Sequence, residues 1–130
     1  MNIFEEIKDK KILLIDDDES IRDSLTMFFQ GEGIFIDTLE TAEEGMKVLE
    51  NQHYDIIITD YKLPGMDGLS FLKLIQGFYP DAFKILITAY GSSEIINTAK
   101  SFGMDEYIEK PFTTKLIKDA LSRMLSKEAG

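Results

Sequence analysis

The chain has no cysteine, which excludes a disulfide framework, thiolate metal ligation and a cysteine nucleophile, and leaves the redox compartment open. It also lacks any apolar run near the roughly 20 residues that a membrane-spanning helix needs. Residues 1 to 11 alternate in charge and carry no apolar core of a secretory signal, so a cytoplasmic setting is compatible and no membrane partner is expected. Positive charge is scarce: 14 Lys and Arg against 24 Asp and Glu leave a formal charge of −10, with no concentrated basic patch to offset it, so direct binding to nucleic acid is not expected. No internal repeat, low-complexity tract or linker rich in Pro, Gly or Ser interrupts the sequence. The only histidine, His53, falls in a loop before a strand, where a solvated turn residue is expected.

What remains is an ordinary globular composition, 44% hydrophobic and 29% charged over 130 residues, enough for one domain with one core and too short for two. Residues 1–10 read as an N-terminal extension, 11–126 as the domain, and 127–130 as a tail or the start of a linker. Strand-length apolar runs alternate with helix-length amphipathic stretches, the signature of repeated βαβ units and a parallel sheet. Strands are predicted at Lys11–Ile15, Ile34–Leu39, Tyr54–Thr59, Lys84–Thr88 and Glu106–Glu109. The first, third and fourth are continuously apolar and belong at the sheet centre; the fifth alternates and suits an edge. Helices are predicted over Ser20–Gln30, Ala42–Asn51, Leu69–Phe78, Ser93–Phe102 and Thr114–Leu125. A capping box is expected from Thr41 and Glu44, with stop signals at Gly31, Gly77 and Gly103.

Four of the apolar runs end in residues suited to handling a phosphoryl group: Asp16-Asp17, Asp60, Thr88 and Lys110. Parallel sheets bind ligands beyond the carboxyl ends of their strands, so these positions are expected to share one pocket. Strict alternation would send Asp16 and Asp17 to opposite faces, and the chain must turn for both to converge. Three carboxylates in one site repel each other unless a cation is present, and Mg2+, for which Mn2+ would substitute, suits one or two carboxylates plus a phosphate oxygen. Separately, each residue has a plainer reading: a solvated acidic loop at a helix start, a turn aspartate before Pro64-Gly65, a β-branched strand residue, a surface lysine before Pro111. Together they assign Asp60 as nucleophile, with the metal, Lys110 and Thr88 neutralising charge on the transferred oxygens. A cis bond before Pro111 would aim Lys110 back into the pocket, although nothing local demands one.

The segments Lys11-Ile-Leu-Leu-Ile-Asp-Asp-Asp-Glu-Ser-Ile-Arg22, Asp60-Tyr-Lys-Leu-Pro-Gly-Met-Asp-Gly68, Ile87-Thr-Ala89 and Tyr107-Ile-Glu-Lys-Pro-Phe112 resemble the response-regulator receiver family over nearly the whole chain. The resemblance implies an α/β fold of the flavodoxin-like (βα)5 type, a doubly wound five-stranded parallel sheet in the order 2-1-3-4-5. It implies that Asp60 accepts phosphate from a histidine kinase or phosphotransfer protein. Asp17 would bind the metal directly, Asp16 largely through water, and the backbone carbonyl of Lys62 would complete the site. It further implies a switch through Thr88 and Tyr107, an output face over residues 93–125 for a partner or output domain, and phosphorylation-dependent pairing of two copies. Lys62 and Tyr90 flank the expected approach of hydrolytic water, where a bulky Tyr90 would slow dephosphorylation.

Two competing readings stand beside this one. Asp16-Asp17-Asp18-Glu19-Ser20 after a strand also resembles the first motif of haloacid-dehalogenase-type phosphatases, with Asp16 as nucleophile and Asp18 as acid/base, but that leaves Asp60 and its turn unexplained. A receiver-shaped interaction module that never takes phosphate usually lacks an acceptor, metal ligand or lysine, and here all are present.

Overall fold

Ile, Leu and Phe gather in short runs because strands covered on both faces must be apolar on both. In the computed structural model, which describes residues 2–89 and 91–129, these runs form β1 (Lys11–Ile15), β2 (Phe35–Leu39), β3 (Ile56–Asp60), β4 (Phe83–Thr88) and β5 (Glu106–Glu109). The helices are α1 (Ile3–Glu6), α2 (Glu19–Gly31), α3 (Ala42–Leu49), α4 (Gly68–Gln76), α5 (Ser93–Ser101) and α6 (Thr114–Ala129). All strand pairs are parallel and their order is β2-β1-β3-β4-β5. The expected doubly wound sheet is therefore present, with β1, β3 and β4 inside and β5 at an edge.

Alternation along the strands divides the core in two. Ile12 and Leu14 of β1 join Ile56, Ile58, Ile85 and Ile87 beneath Leu25 and Phe29 of α2 and Ile117 and Leu121 of α6. Leu13 and Ile15 point the other way, to Ile57, Leu86 and the apolar faces of α3, α4 and α5. The four β1 residues Ile12 to Ile15 are wholly buried, and each such side chain contributes about 1.5–3 kcal/mol of apolar transfer. The crossovers leave in opposite directions, from β1 outward to β2 on one side and from β3 to β4 on the other. That divergence opens a crevice at the carboxyl ends of β1 and β3.

Local chemistry sets the element ends. Thr41 and Glu44 form the expected capping box: the Thr41 hydroxyl accepts from the Glu44 amide at 3.1 Å while the Glu44 carboxylate accepts from the Thr41 amide at 3.2 Å. Several boundaries differ from expectation. β3 begins at Ile56 rather than Tyr54, and Tyr54 lies just ahead of the strand, fully buried, with its hydroxyl donating to the Asp37 carboxylate. Burial and that bond to an anion both raise the Tyr54 pKa. β4 begins one residue early, at Phe83, and keeps Lys84 buried with its ammonium donating to the Tyr79 carbonyl at 2.6 Å.

The segment read as an extension folds onto the domain. Asn2 caps α1 by accepting from the Phe4 amide at 2.9 Å, and Phe4 and Ile7 enter the core beside α2 and α6. The Phe4 ring meets Phe28 edge-on at 5.3 Å, and the Lys118 ammonium lies 5.7 Å from its centroid. A helix this short is not stable on its own, so its order comes from those contacts. Phe4→Ala is expected to cost about 3–5 kcal/mol in urea unfolding, with the slope unchanged. An unaltered midpoint would mean that α1 does not pack on the domain.

Candidate functional site

β1 ends its ladder at Ile15, paired with Leu39 and Thr59. The next residue, Asp16, keeps one sheet bond, from its amide to the Leu39 carbonyl at 3.1 Å, and then the chain turns. The turn is closed by side chains: Asp16 Oδ1 accepts from the Asp18 amide at 2.9 Å, and Asp18 Oδ1 accepts from the Ser20 amide and hydroxyl at 2.9 and 2.7 Å. Asp18 is thereby the N-cap of α2, and the Ser20 bonds hold its carboxyl below the usual range. This turn reconciles strand alternation with convergence. Asp16 is buried, Asp17 is exposed, and their carboxylates still come within 4.8 Å of each other and of Asp60.

Asp60 is the last residue of β3, opposite Ile87 of β4, with only 5% of its surface exposed. Gly68 allows the following loop to fold back over it: the Gly68 amide donates to the Tyr61 carbonyl at 2.8 Å, and a β-carbon at 68 would overlap the Asp60 carbonyl. Gly65 sits at φ 74°, in the left-handed region that favours glycine, and Glu43 of α3 accepts from the Met66 amide at 3.0 Å. The loop carrying Lys62 is thus fastened at several points close to Asp60.

Lys110 follows β5, and its amide donates to the Thr88 carbonyl at 2.9 Å, which sets the lysine beside the end of β4. Its ammonium lies 3.0 Å from Asp60 Oδ2 and 3.2 Å from Asp16 Oδ2. The Lys110–Pro111 peptide is cis. Thr88 is wholly buried at the end of β4, one position beyond the partner of Asp60. The structure therefore brings Asp16, Asp17, Asp60, Thr88 and Lys110 to one edge of the sheet. Tyr107 stands apart on β5, 40% exposed, and His53 is exposed with Nε2 3.3 Å from Asp55 Oδ1, ahead of the amino end of β3. Tyr90 lies outside the described residues.

The electrostatics are unbalanced. Burial pushes the Asp60 carboxyl up to about 6, Lys110 opposes that shift, and the negative charges of Asp16 and Asp17 add to it. For Lys110, burial works against the charge, but the bond to Asp60 and the field of Asp16 outweigh it and raise its pKa. Three carboxylates against one ammonium leave two negative charges, the amount that a divalent cation carries. Asp16 Oδ2 is buried, and the contact it makes is the ion pair with the Lys110 ammonium at 3.2 Å. A trio of carboxylates at this spacing, with one ammonium shared between two of them, fits a hard divalent cation with oxygen ligands.

One contact had no counterpart in the sequence reading. Arg22, one turn into α2, donates from Nη1 to the Asp16 carbonyl at 2.8 Å, with Nη2 3.7 Å from Glu40. Only its position on the α2 face towards β1 could have signalled this.

The fold agrees with known proteins. The family model for the response regulator receiver domain matches residues 12–122. The probable C4-dicarboxylate response regulator DctR of Halalkalibacterium halodurans is 35% identical over 127 residues, which cover 92% of this chain and 55% of that protein. Sporulation initiation phosphotransferase F of Bacillus subtilis is 31% identical over 116 residues, 89% of this chain and 94% of that one. The DNA-binding transcriptional regulator NtrC of Escherichia coli is 34% identical, with 78% of this chain spanning 22% of it. A CheY-like receiver domain structure from Methanospirillum hungatei superposes with a TM-score of 0.81 at 33% identity, covering 91% of this chain and 98% of that one. The chain belongs to the response regulator receiver domain family of two-component signalling. It spans about half of one such relative and a quarter or less of others, whose further parts lie outside the match. Among the described residues no helix is long and apolar enough to cross a membrane.

The charge imbalance predicts a stability change. Asp60 has a folded-state pKa above its unfolded value, so its proton-linked stabilisation is complete below about pH 4 and is lost as pH rises through about 6. Without divalent cations, Asp60→Asn is expected to stabilise the fold by about 1–3 kcal/mol at pH 7.5, with the gain shrinking towards pH 4. Thermal unfolding at both pH values checks this, and a destabilised variant at pH 7.5 would contradict it.

Proposed function

We propose that this receiver domain takes a phosphoryl group onto Asp60 from a phosphohistidine of a histidine kinase or phosphotransfer protein, and that Mg2+, or Mn2+ in its place, is required. The observation that carries the proposal is the buried Asp60 carboxylate held 3.0 Å from Lys110 beside two further carboxylates. An Asp60 carboxylate oxygen attacks phosphorus, the phosphorus–nitrogen bond of the donor breaks, and the leaving imidazole takes a proton from solvent. Phosphoryl transfer asks the protein mainly for positioning and charge neutralisation. Lys110 supplies a cation on one side of the transferred oxygens and the Thr88 hydroxyl supplies a donor at the end of β4. Asp16, Asp17, Asp60 and the Lys62 carbonyl would hold the cation, which when bound neutralises the remaining charge on those oxygens.

A hollow of about 500 Å³ opens next to Lys110, lined by Ser20, Ile21, Ser24, Ala89, Pro111 and Phe112. Its apolar walls suit the approach of a donor protein, and the setting in which such a donor works is cytoplasmic. Output would follow through Thr88 and Tyr107 to the face spanning residues 93–125, where Tyr107 and Leu116 are exposed. That face would receive a partner, an output domain or a second copy. Converting an almost wholly inactive population to an almost wholly active one requires about 5.5 kcal/mol of differential stabilisation, within reach of a dianionic group with several ligands. The protein would act once on itself rather than turn over a substrate. The phosphatase reading is disfavoured because Asp18, its acid/base, is engaged in capping α2 and held in its ionised form.

Intact mass after incubation with acetyl phosphate tests the proposal. One phosphate adduct that depends on Mg2+ and disappears in Asp60→Ala is expected. No adduct, or one surviving that substitution, would overturn it.

A further inference from the structure

The Asp16 carbonyl is where β1 leaves the sheet. Its amide still bonds to Leu39, but the ladder to β3 has ended one residue earlier. The acceptor at this corner is satisfied by a side chain, the Arg22 guanidinium, at 2.8 Å. Arg22 is itself held on α2, where its amide donates to the Asp18 carbonyl at 3.1 Å, and its side chain is only 14% exposed. A charged donor on a buried carbonyl is among the stronger hydrogen bonds available, and this one ties the first turn of α2 to the end of β1. The peptide so gripped joins Asp16 to Asp17. Its orientation decides whether Asp17 turns towards Asp60 or continues the strand alternation to the opposite face.

We infer that Arg22 is a positioning residue for the cation site, holding the Asp16–Asp17 peptide so that the Asp17 carboxylate faces Asp60. The inference rests on the cation requirement proposed above. Two roles for a guanidinium beside this edge predict opposite signs. As a bare positive charge it repels a divalent cation, and its removal tightens cation binding. As a clamp it preorganises the ligands, and its removal weakens binding. Outer-shell groups that orient metal ligands typically account for about tenfold or more in affinity.

The test is an NMR titration of the 15N-labelled protein with MgCl2, following the Asp17, Asp18 and Tyr61 amides, with hydrogen exchange of the Asp18 amide measured in the metal-free protein. Arg22→Ala is expected to weaken Mg2+ about tenfold and to speed Asp18 exchange, while Arg22→Lys, which retains charge and one donor, recovers most of both. If the alanine variant does not fold, Arg22→Met keeps the apolar stem and serves in its place. Unchanged or tighter Mg2+ binding in a folded variant would overturn the inference. Loss of binding in Asp17→Asn alongside full affinity in Arg22→Ala would overturn it while leaving the cation site intact. A native chain that does not bind Mg2+ would overturn both.

Discussion

Mutual repulsion among three carboxylates, only partly relieved by one lysine, is the constraint on which the rest of this structure turns. Asp16, Asp17 and Asp60 lie within 4.8 Å of each other, and Lys110 reaches Asp16 and Asp60 at 3.2 and 3.0 Å. Such a cluster lowers the stability of the metal-free fold, and the buried Asp16 and Asp60 are held in it by the packed strand ends that carry them. On the proposed function the same imbalance would make the edge responsive: a cation, and then a phosphoryl group with its own charge, would each change the local energy by more than a neutral site would allow.

The restraint comes from apolar strands and from short-range polar contacts. Ile12 to Ile15 and Ile56 to Ile58 are fully buried, so neither β1 nor β3 can slide to relieve the repulsion at its end. Beyond the strands, the Asp18 cap, the Gly68 amide on the Tyr61 carbonyl, the Glu43 bond to Met66 and the Arg22 grip on Asp16 each fix one piece of loop. The site is thus a set of turns pinned to a rigid sheet. It stands where β1 and β3 send their crossovers in opposite directions, the usual location for a ligand in an open parallel sheet.

Much of this was legible in the sequence. Continuous apolar runs marked the interior strands, alternation at Glu106–Glu109 marked an edge, and the acids, threonine and lysine stood at strand ends where parallel sheets do their chemistry. What escaped depends on contacts between residues distant in the chain. Phe4 and Ile7 sit in a segment too short and charged to show helical periodicity, and its order comes from Phe28 and Lys118. The bond from Tyr54 to Asp37 joins a loop to an edge strand, between residues 17 positions apart. Lys84 interrupts an apolar run yet stays buried, because a backbone carbonyl happens to face its ammonium. Arg22 lies six residues from Asp16, and only the sharp exit from β1 turns the one towards the other.

The measurement that bears most directly on the central claim is a crystal structure grown with MnCl2, with anomalous scattering used to locate the metal. The account predicts one anomalous peak bounded by the carboxylates of Asp17 and Asp60 and the Lys62 carbonyl, with Asp16 oriented towards it. A peak elsewhere, or none at this edge at manganese concentrations well above physiological, would contradict it.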